Sequence, residues 1–164
     1  VASRVQAFGS TVQYYDPFRL PEEMEEKLHM KYVGLEELIR TSDVITLHVP
    51  LMDSTRHMIG EKEIKKMKNG AILINVARGG LMDDEAVVKA VNSGKLSGAG
   101  IDCVEEEPAK PGSLILENPN IIVTPHVGGG SADISDVMFP MITENIELLA
   151  AGKDPKYVVN KQYL

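Results

Sequence analysis

The chain has no tryptophan and a single cysteine, Cys103, among its 164 residues. One thiol allows neither an internal disulfide nor a cysteine-based metal cluster, and it fits a reducing, cytoplasmic setting. Positive charge is scarce: 17 Lys and Arg stand against 24 Asp and Glu, a net charge of -7. No stretch concentrates basic residues, so neither nucleic acid nor an anionic membrane surface is an expected partner. No apolar run approaches the ~20 residues that a membrane-spanning helix needs. A Gly-x-Gly-x-x-Gly phosphate loop is also missing from the sequence.

What is present is an ordinary globular composition, 43% hydrophobic and 25% charged, with a length that fits one domain. Short apolar segments recur at residues 11–15, 44–47, 71–75, 98–102 and 121–124, and each reads as a strand. Helical patterns lie between most of them, at residues 21–30, 34–40 and 61–67, and in a helix capped by Asp83 or Asp84. Residues 104–119, with Pro108, Pro111 and Pro119, read as a loop. A last helix over residues 131–151 carries an apolar face of Ile134, Val137, Met138, Met141, Ile142, Ile146 and Leu149, with Met138 and Met141 expected in the core. Pro140 should kink it. At the other end Val1, Val5 and Phe8 share a helical face closed by Gly9, so the sequence enters a helix partway. The alternation of strand and helix predicts an α/β fold with a parallel sheet.

In such sheets ligands bind beyond the carboxyl ends of the strands. Asp16, Arg78, Glu107 and His126 all fall there. Asp16 ends the first strand, where a carboxylate can accept hydrogen bonds from ribose hydroxyls and repel a 2′-phosphate. Arg19, three residues on, weakens that preference. Arg78 precedes two glycines, which let backbone approach a ligand, and a guanidinium grips a carboxylate through two parallel hydrogen bonds. His126, in Pro-His-Val-Gly-Gly-Gly, is a general acid/base candidate. Glu107 turned against it would favour the imidazolium. Taken alone, Asp-Pro is as readily a turn, and an isolated Arg-Gly-Gly reads sooner as a surface arginine in a flexible turn. His29 and His57 are assigned no role, and the segment His48-Val49-Pro50 suits an adenine slot better than chemistry.

Six segments in order carry a resemblance: residues 1–9, Tyr15-Asp-Pro17, residues 42–51, Asn75-Val-Ala-Arg-Gly-Gly80, Ile101-Asp-Cys-Val-Glu-Glu-Glu-Pro108 and Pro125-His-Val-Gly-Gly129. Together they resemble the D-isomer-specific 2-hydroxyacid dehydrogenases, the family that includes phosphoglycerate dehydrogenase. The resemblance implies a Rossmann-like doubly wound parallel sheet lacking its first strand and glycine loop, with residues 1–164 as a partial NAD-binding domain. It implies that Arg78, Glu107 and His126 are catalytic. It implies that Asp16, Val49, Val76, Ala77, Arg78, Asp102, His126, Gly128 and Gly129 lie near NAD, with Asp102 beside the nicotinamide amide. The implied reaction is hydride transfer between nicotinamide and a D-2-hydroxy or 2-oxo acid, in a cytoplasmic homodimer without a metal. Two other activities stay open: an NAD-responsive, corepressor-like scaffold, and a formate- or phosphite-type dehydrogenase. Cys103 stands where the family usually has valine.

Because the phosphate loop is missing from this sequence, the 164-residue chain alone is expected to bind NADH weakly or not at all. Isothermal titration checks this, and micromolar affinity would refute it.

Overall fold

The structure, a computed structural model, describes residues 1–160. The chain divides into two compact units, Val1–His126 and the residues from Val127 onward. The first unit contains α1 (Ala2–Gln6), β1 (Val12–Tyr14), α2 (Glu22–Leu28), β2 (Met30–Tyr32), α3 (Leu35–Thr41), β3 (Val44–Leu47), α4 (Glu61–Lys66), β4 (Ala71–Asn75), α5 (Asp84–Asn92), β5 (Leu96–Ile101), α6 (Leu114–Glu117) and β6 (Ile121–Val123). The second contains α7 (Ile134–Ala150).

All strand pairing is parallel, as the alternation predicts. β1 pairs with β2, and β3, β4, β5 and β6 pair in that order in a second sheet. Among the described residues β1 and β3 are each paired on one side only. Side chains bridge the two pieces: the Gln13 amide donates to Thr41 Oγ1 at 2.8 Å and to Ser42 Oγ at 2.9 Å.

Alternation along the strands decides what is buried. Ile45 and Leu47 of β3, Ala71, Leu73 and Asn75 of β4, and Ile121 of β6 point into the core, while Val44, Ile72 and Ile122 point out. Against the inner face α5 packs Ala86, Val87, Val88, Ala90 and Val91. Asp83 caps that helix, its side chain accepting from the Ala86 N–H at 3.0 Å, which settles the choice between the two aspartates.

Two elements differ from the sequence reading. The helix expected to reach residue 30 stops at Leu28, because His29 closes it in the left-handed conformation at φ 49°. Met30–Tyr32 then forms a strand too short to show a period of its own. Within the expected loop, one helical turn forms at Leu114–Glu117, with Ile115 as its buried anchor. Pro111 and Pro119 leave room for no more.

In the second unit α7 continues through Pro140, and none of its residues is buried. Met138 and Met141 are therefore not core in this structure, since a lone helix has no partner surface within its own unit. The unit closes on itself through Asn145, whose Oδ1 accepts from the backbone N–H groups of Lys156 and Tyr157 at 2.9 and 3.1 Å. Its amide donates to the Tyr157 carbonyl at 3.0 Å.

Leu73 is completely buried in the central strand, whereas its neighbour Ile72 is 39% exposed. Leu73→Ala should cost about 2–5 kcal/mol and Ile72→Ala less than about 1 kcal/mol. Urea unfolding of the two variants checks the ratio, and equal losses would contradict this core.

Candidate active site

Parallel pairing in the order β3-β4-β5-β6 sets the loops after β4, β5 and β6 side by side along one edge. Arg78 lies on the first, Cys103 to Glu107 on the second and His126 on the third. Each loop is held by polar groups at the strand ends.

Asn75 ends β4 and is completely buried. Its amide donates to the Arg78 carbonyl at 2.9 Å, and its Oδ1 accepts from the Ala77 N–H at 3.2 Å. One side chain thus folds the 76–78 turn over the strand end. Gly79 then passes directly under the next loop, where a Cβ would stand 2.0 Å from the Val104 carbonyl oxygen. Only glycine permits that approach. On β5, the Asp102 N–H donates to the Asn75 carbonyl at 2.9 Å, and the buried Asp102 carboxylate accepts from the Thr124 hydroxyl. Asp102 therefore ties the loop after β5 to the end of β6.

The Ala77 carbonyl joins two of the loops. It accepts from Arg78 Nη1 at 2.6 Å and from Cys103 Sγ at 3.5 Å. Across from it, His126 Nδ1 lies 2.9 Å from Glu107 Oε2. Sγ of Cys103, an oxygen of Glu107 and a ring nitrogen of His126 all fall within 4.8 Å of one another. Burial raises the Cys103 thiol pKa first, the Glu107 and Asp102 carboxylates add to the rise, and Arg78 opposes it. The thiol thus senses the guanidinium and both acids. The geometry gathers Arg78, Glu107 and His126 around Cys103, with His126 and Glu107 half-exposed.

His126 adopts φ 53° and its N–H donates to the Thr124 carbonyl at 3.0 Å. Left-handed backbone is uncommon for a non-glycine residue. It is not a mark of function by itself, because His29 and His57 share it at helix and turn ends. What distinguishes His126 is its place just after β6, grouped with both Glu107 and Cys103.

The acid loop has a second anchor that the sequence reading missed. His57 Nε2 contacts Glu105 Oε1 at 2.8 Å, and the Glu105 N–H donates to Asp84 Oδ2 at 2.9 Å. Burial raises the Asp84 carboxyl pKa. Asn75, Thr124, His57 and Asp84 all position the site. Only Asn75 carried a readable signal, a polar residue closing an apolar strand.

The cofactor-side residues are spread more widely. Asp16 follows β1, and its Oδ1 accepts from the Phe18 N–H at 2.7 Å. Arg19, expected to soften the effect of Asp16, is paired with Glu25. Its Nε and Nη2 donate to the two oxygens of buried Glu25, both at 2.8 Å, and its guanidinium lies over the Tyr32 ring at 5.0 Å. Hydrogen bonds from Arg19 first and from the Tyr14 hydroxyl second hold the Glu25 carboxyl down at about 2. Val49 and Ala77 are partly buried against the core, whereas Val76 is exposed at the end of β4. His48 contacts Thr46 Oγ1 at 3.0 Å, and desolvation lowers its pKa. Gly128 and Gly129 fall in the second unit.

Comparison with known proteins places this site in context. The family profile "D-isomer specific 2-hydroxyacid dehydrogenase, NAD binding domain" matches residues 1–128. A glyoxylate reductase of Thermococcus litoralis is 42% identical over 164 residues, covering 100% of this chain and 49% of the relative. The crystal structure of a glyoxylate reductase from Paecilomyes thermophila superposes with a TM-score of 0.84 at 37% identity, covering 97% of this chain and 48% of the other. A D-lactate dehydrogenase with NAD+ from Lactobacillus jensenii gives 0.85 at 31% identity, covering 98% and 51%. The chain spans about half the length of the curated relatives it matches.

The Arg19–Glu25 contact makes a pH-dependent prediction. Because the folded-state pKa of Glu25 is depressed to about 2, its stabilising effect is present above the ordinary carboxylate value of 4.5. It declines as pH falls from there and is gone below about 2. Glu25→Gln should therefore be less stable than the native chain at pH 7, with the gap closing on acidification. Urea midpoints at several pH values check this, and a gap independent of pH would count against the ion pair.

Proposed function

The chain belongs to the NAD-binding domain family of the D-isomer specific 2-hydroxyacid dehydrogenases, and on that premise we propose that it is the cofactor-binding half of an enzyme interconverting a 2-oxo acid and a D-2-hydroxy acid. The observation that carries the reading is the 2.9 Å contact between His126 and Glu107 at the carboxyl edge of a parallel sheet. An imidazole backed by a carboxylate is a ready proton donor and acceptor, and that edge is where such folds take their ligands.

NAD fits the residues present. Asp16 keeps one carboxylate oxygen without a partner among the described residues, available to ribose hydroxyls. Glu25 engages Nε and Nη2 of Arg19 and offsets its charge, which weakens its pull on a 2′-phosphate and favours NAD over NADP. The exposed side chain of Val76, with Val49 and Ala77, offers an apolar wall, and Asp102, Arg78 and His126 complete the set in the first unit that would hold the cofactor. When bound, NAD supplies or accepts the hydride.

The protein's own residues do the remaining work. Arg78 holds the substrate carboxylate by paired hydrogen bonds and so orients the carbonyl. With Nδ1 engaged by Glu107, Nε2 of His126 is the nitrogen that gives a proton to the carbonyl oxygen during reduction and takes it back during oxidation. Glu107 fixes the ring and offsets the charge of the imidazolium. A small 2-oxo acid is the corresponding substrate class, and a cytoplasmic homodimer the corresponding assembly.

In that enzyme, His126→Ala should lower kcat for 2-oxo acid reduction by about 10²–10⁴ while NADH binding, read by fluorescence titration, changes less than a few-fold. Turnover close to the parent rate would remove His126 from the mechanism.

A further inference from the structure

We propose that Cys103, Glu107 and His126 form a site for a thiophilic divalent cation such as Zn²⁺, which takes the place of the proton shared between Glu107 and His126. The three residues each offer one ligand atom, and these atoms lie within 4.8 Å of one another. Zinc bonds of about 2.0–2.3 Å in a tetrahedral shell set ligand atoms roughly 3.3–3.8 Å apart. His126 Nδ1 and Glu107 Oε2 stand at 2.9 Å and need only separate slightly to admit the ion. Both side chains are half-exposed and free to make that adjustment. Cys103 is buried and forms a fixed floor beneath them.

The donor set selects the metal class. A thiolate with an imidazole favours zinc and discriminates against magnesium and calcium, which prefer oxygen ligands. Three protein ligands leave the fourth tetrahedral position to water. Binding releases one proton to solvent, from the Cys103 thiol as the sulfur–metal bond forms; the neutral imidazole coordinates through Nδ1 and carries its proton on Nε2, and no electrons move. The Ala77 carbonyl loses the thiol as a donor but keeps Arg78 Nη1 at 2.6 Å, so no backbone acceptor is stranded. The thiolate and the Glu107 carboxylate together balance the charge of the ion. Because the ion uses the nitrogen and oxygen that pair His126 with Glu107, it also arrests proton transfer. That consequence rests on the function proposed above, whereas the binding itself does not.

The test is a titration of the 164-residue chain with Co²⁺, followed by competition with Zn²⁺. One equivalent should produce sulfur-to-cobalt charge-transfer absorption in the near ultraviolet, which zinc abolishes. Cys103→Ser, close in size and able to donate to the Ala77 carbonyl, should lose that absorption and weaken binding by more than the ~10–100-fold that loss of an outer partner costs. Glu107→Gln, at an exposed position, should weaken binding while keeping the absorption, which covers the case of a serine variant that does not fold. Absence of the sulfur band, or unchanged affinity in either folded variant, overturns the site. In the working enzyme zinc should inhibit reversibly, and less in Cys103→Ser. An enzyme that binds zinc but lacks 2-oxo acid turnover would sink the function and leave the site standing.

Discussion

Parallel pairing of β4, β5 and β6 is the constraint on which the rest of the molecule depends. It sends three loops out of the same edge in spatial order. Residues more than forty positions apart along the chain, Arg78 and His126, thereby become neighbours of one cysteine. The strand-end groups convert proximity into geometry. Asn75 folds one loop, the Asp102–Thr124 contact ties the next two, and Gly79 lets the first pass against the second at a separation no larger residue could accept. Asn75 and Asp102 are buried, so their hydrogen bonds are costly to lose and the loops stay where they are put.

The same economy of polar groups operates at β1. Arg19 could have served as a cation beside the Asp16 carboxylate. Instead Glu25 holds it by two hydrogen bonds, with Tyr14 on the same carboxylate and Tyr32 beneath the guanidinium. Two donors of a cation near the end of β1 are thereby engaged within the protein.

Much of the fold was legible along the chain. β3 and β4 lie where their apolar runs stand, and α3, α4 and α5 follow their periodic patterns to within a residue or two. The short strand Met30–Tyr32 and the single turn Leu114–Glu117 were not legible, because neither is long enough to display a period. The exposure of α7 was not legible either. Its apolar face reads as core, yet burial depends on a partner surface that no pattern within the helix specifies. For the site, Asn75 could be suspected from its place at the end of an apolar strand. His57 and Glu25 could not, since each matters only through a partner brought near by folding.

The sequence by itself determined the fold class, the loops at the carboxyl ends of the strands and the residue types at their tips, because apolar periodicity and turn residues act locally. Only the tertiary structure decided which of those tips meet. The joining of Cys103 to His126 and Glu107, the withdrawal of Arg19 onto Glu25 and the anchoring of Glu105 by His57 all depend on strand order and register. Those are set by the burial of the whole sheet, a property that no single segment carries.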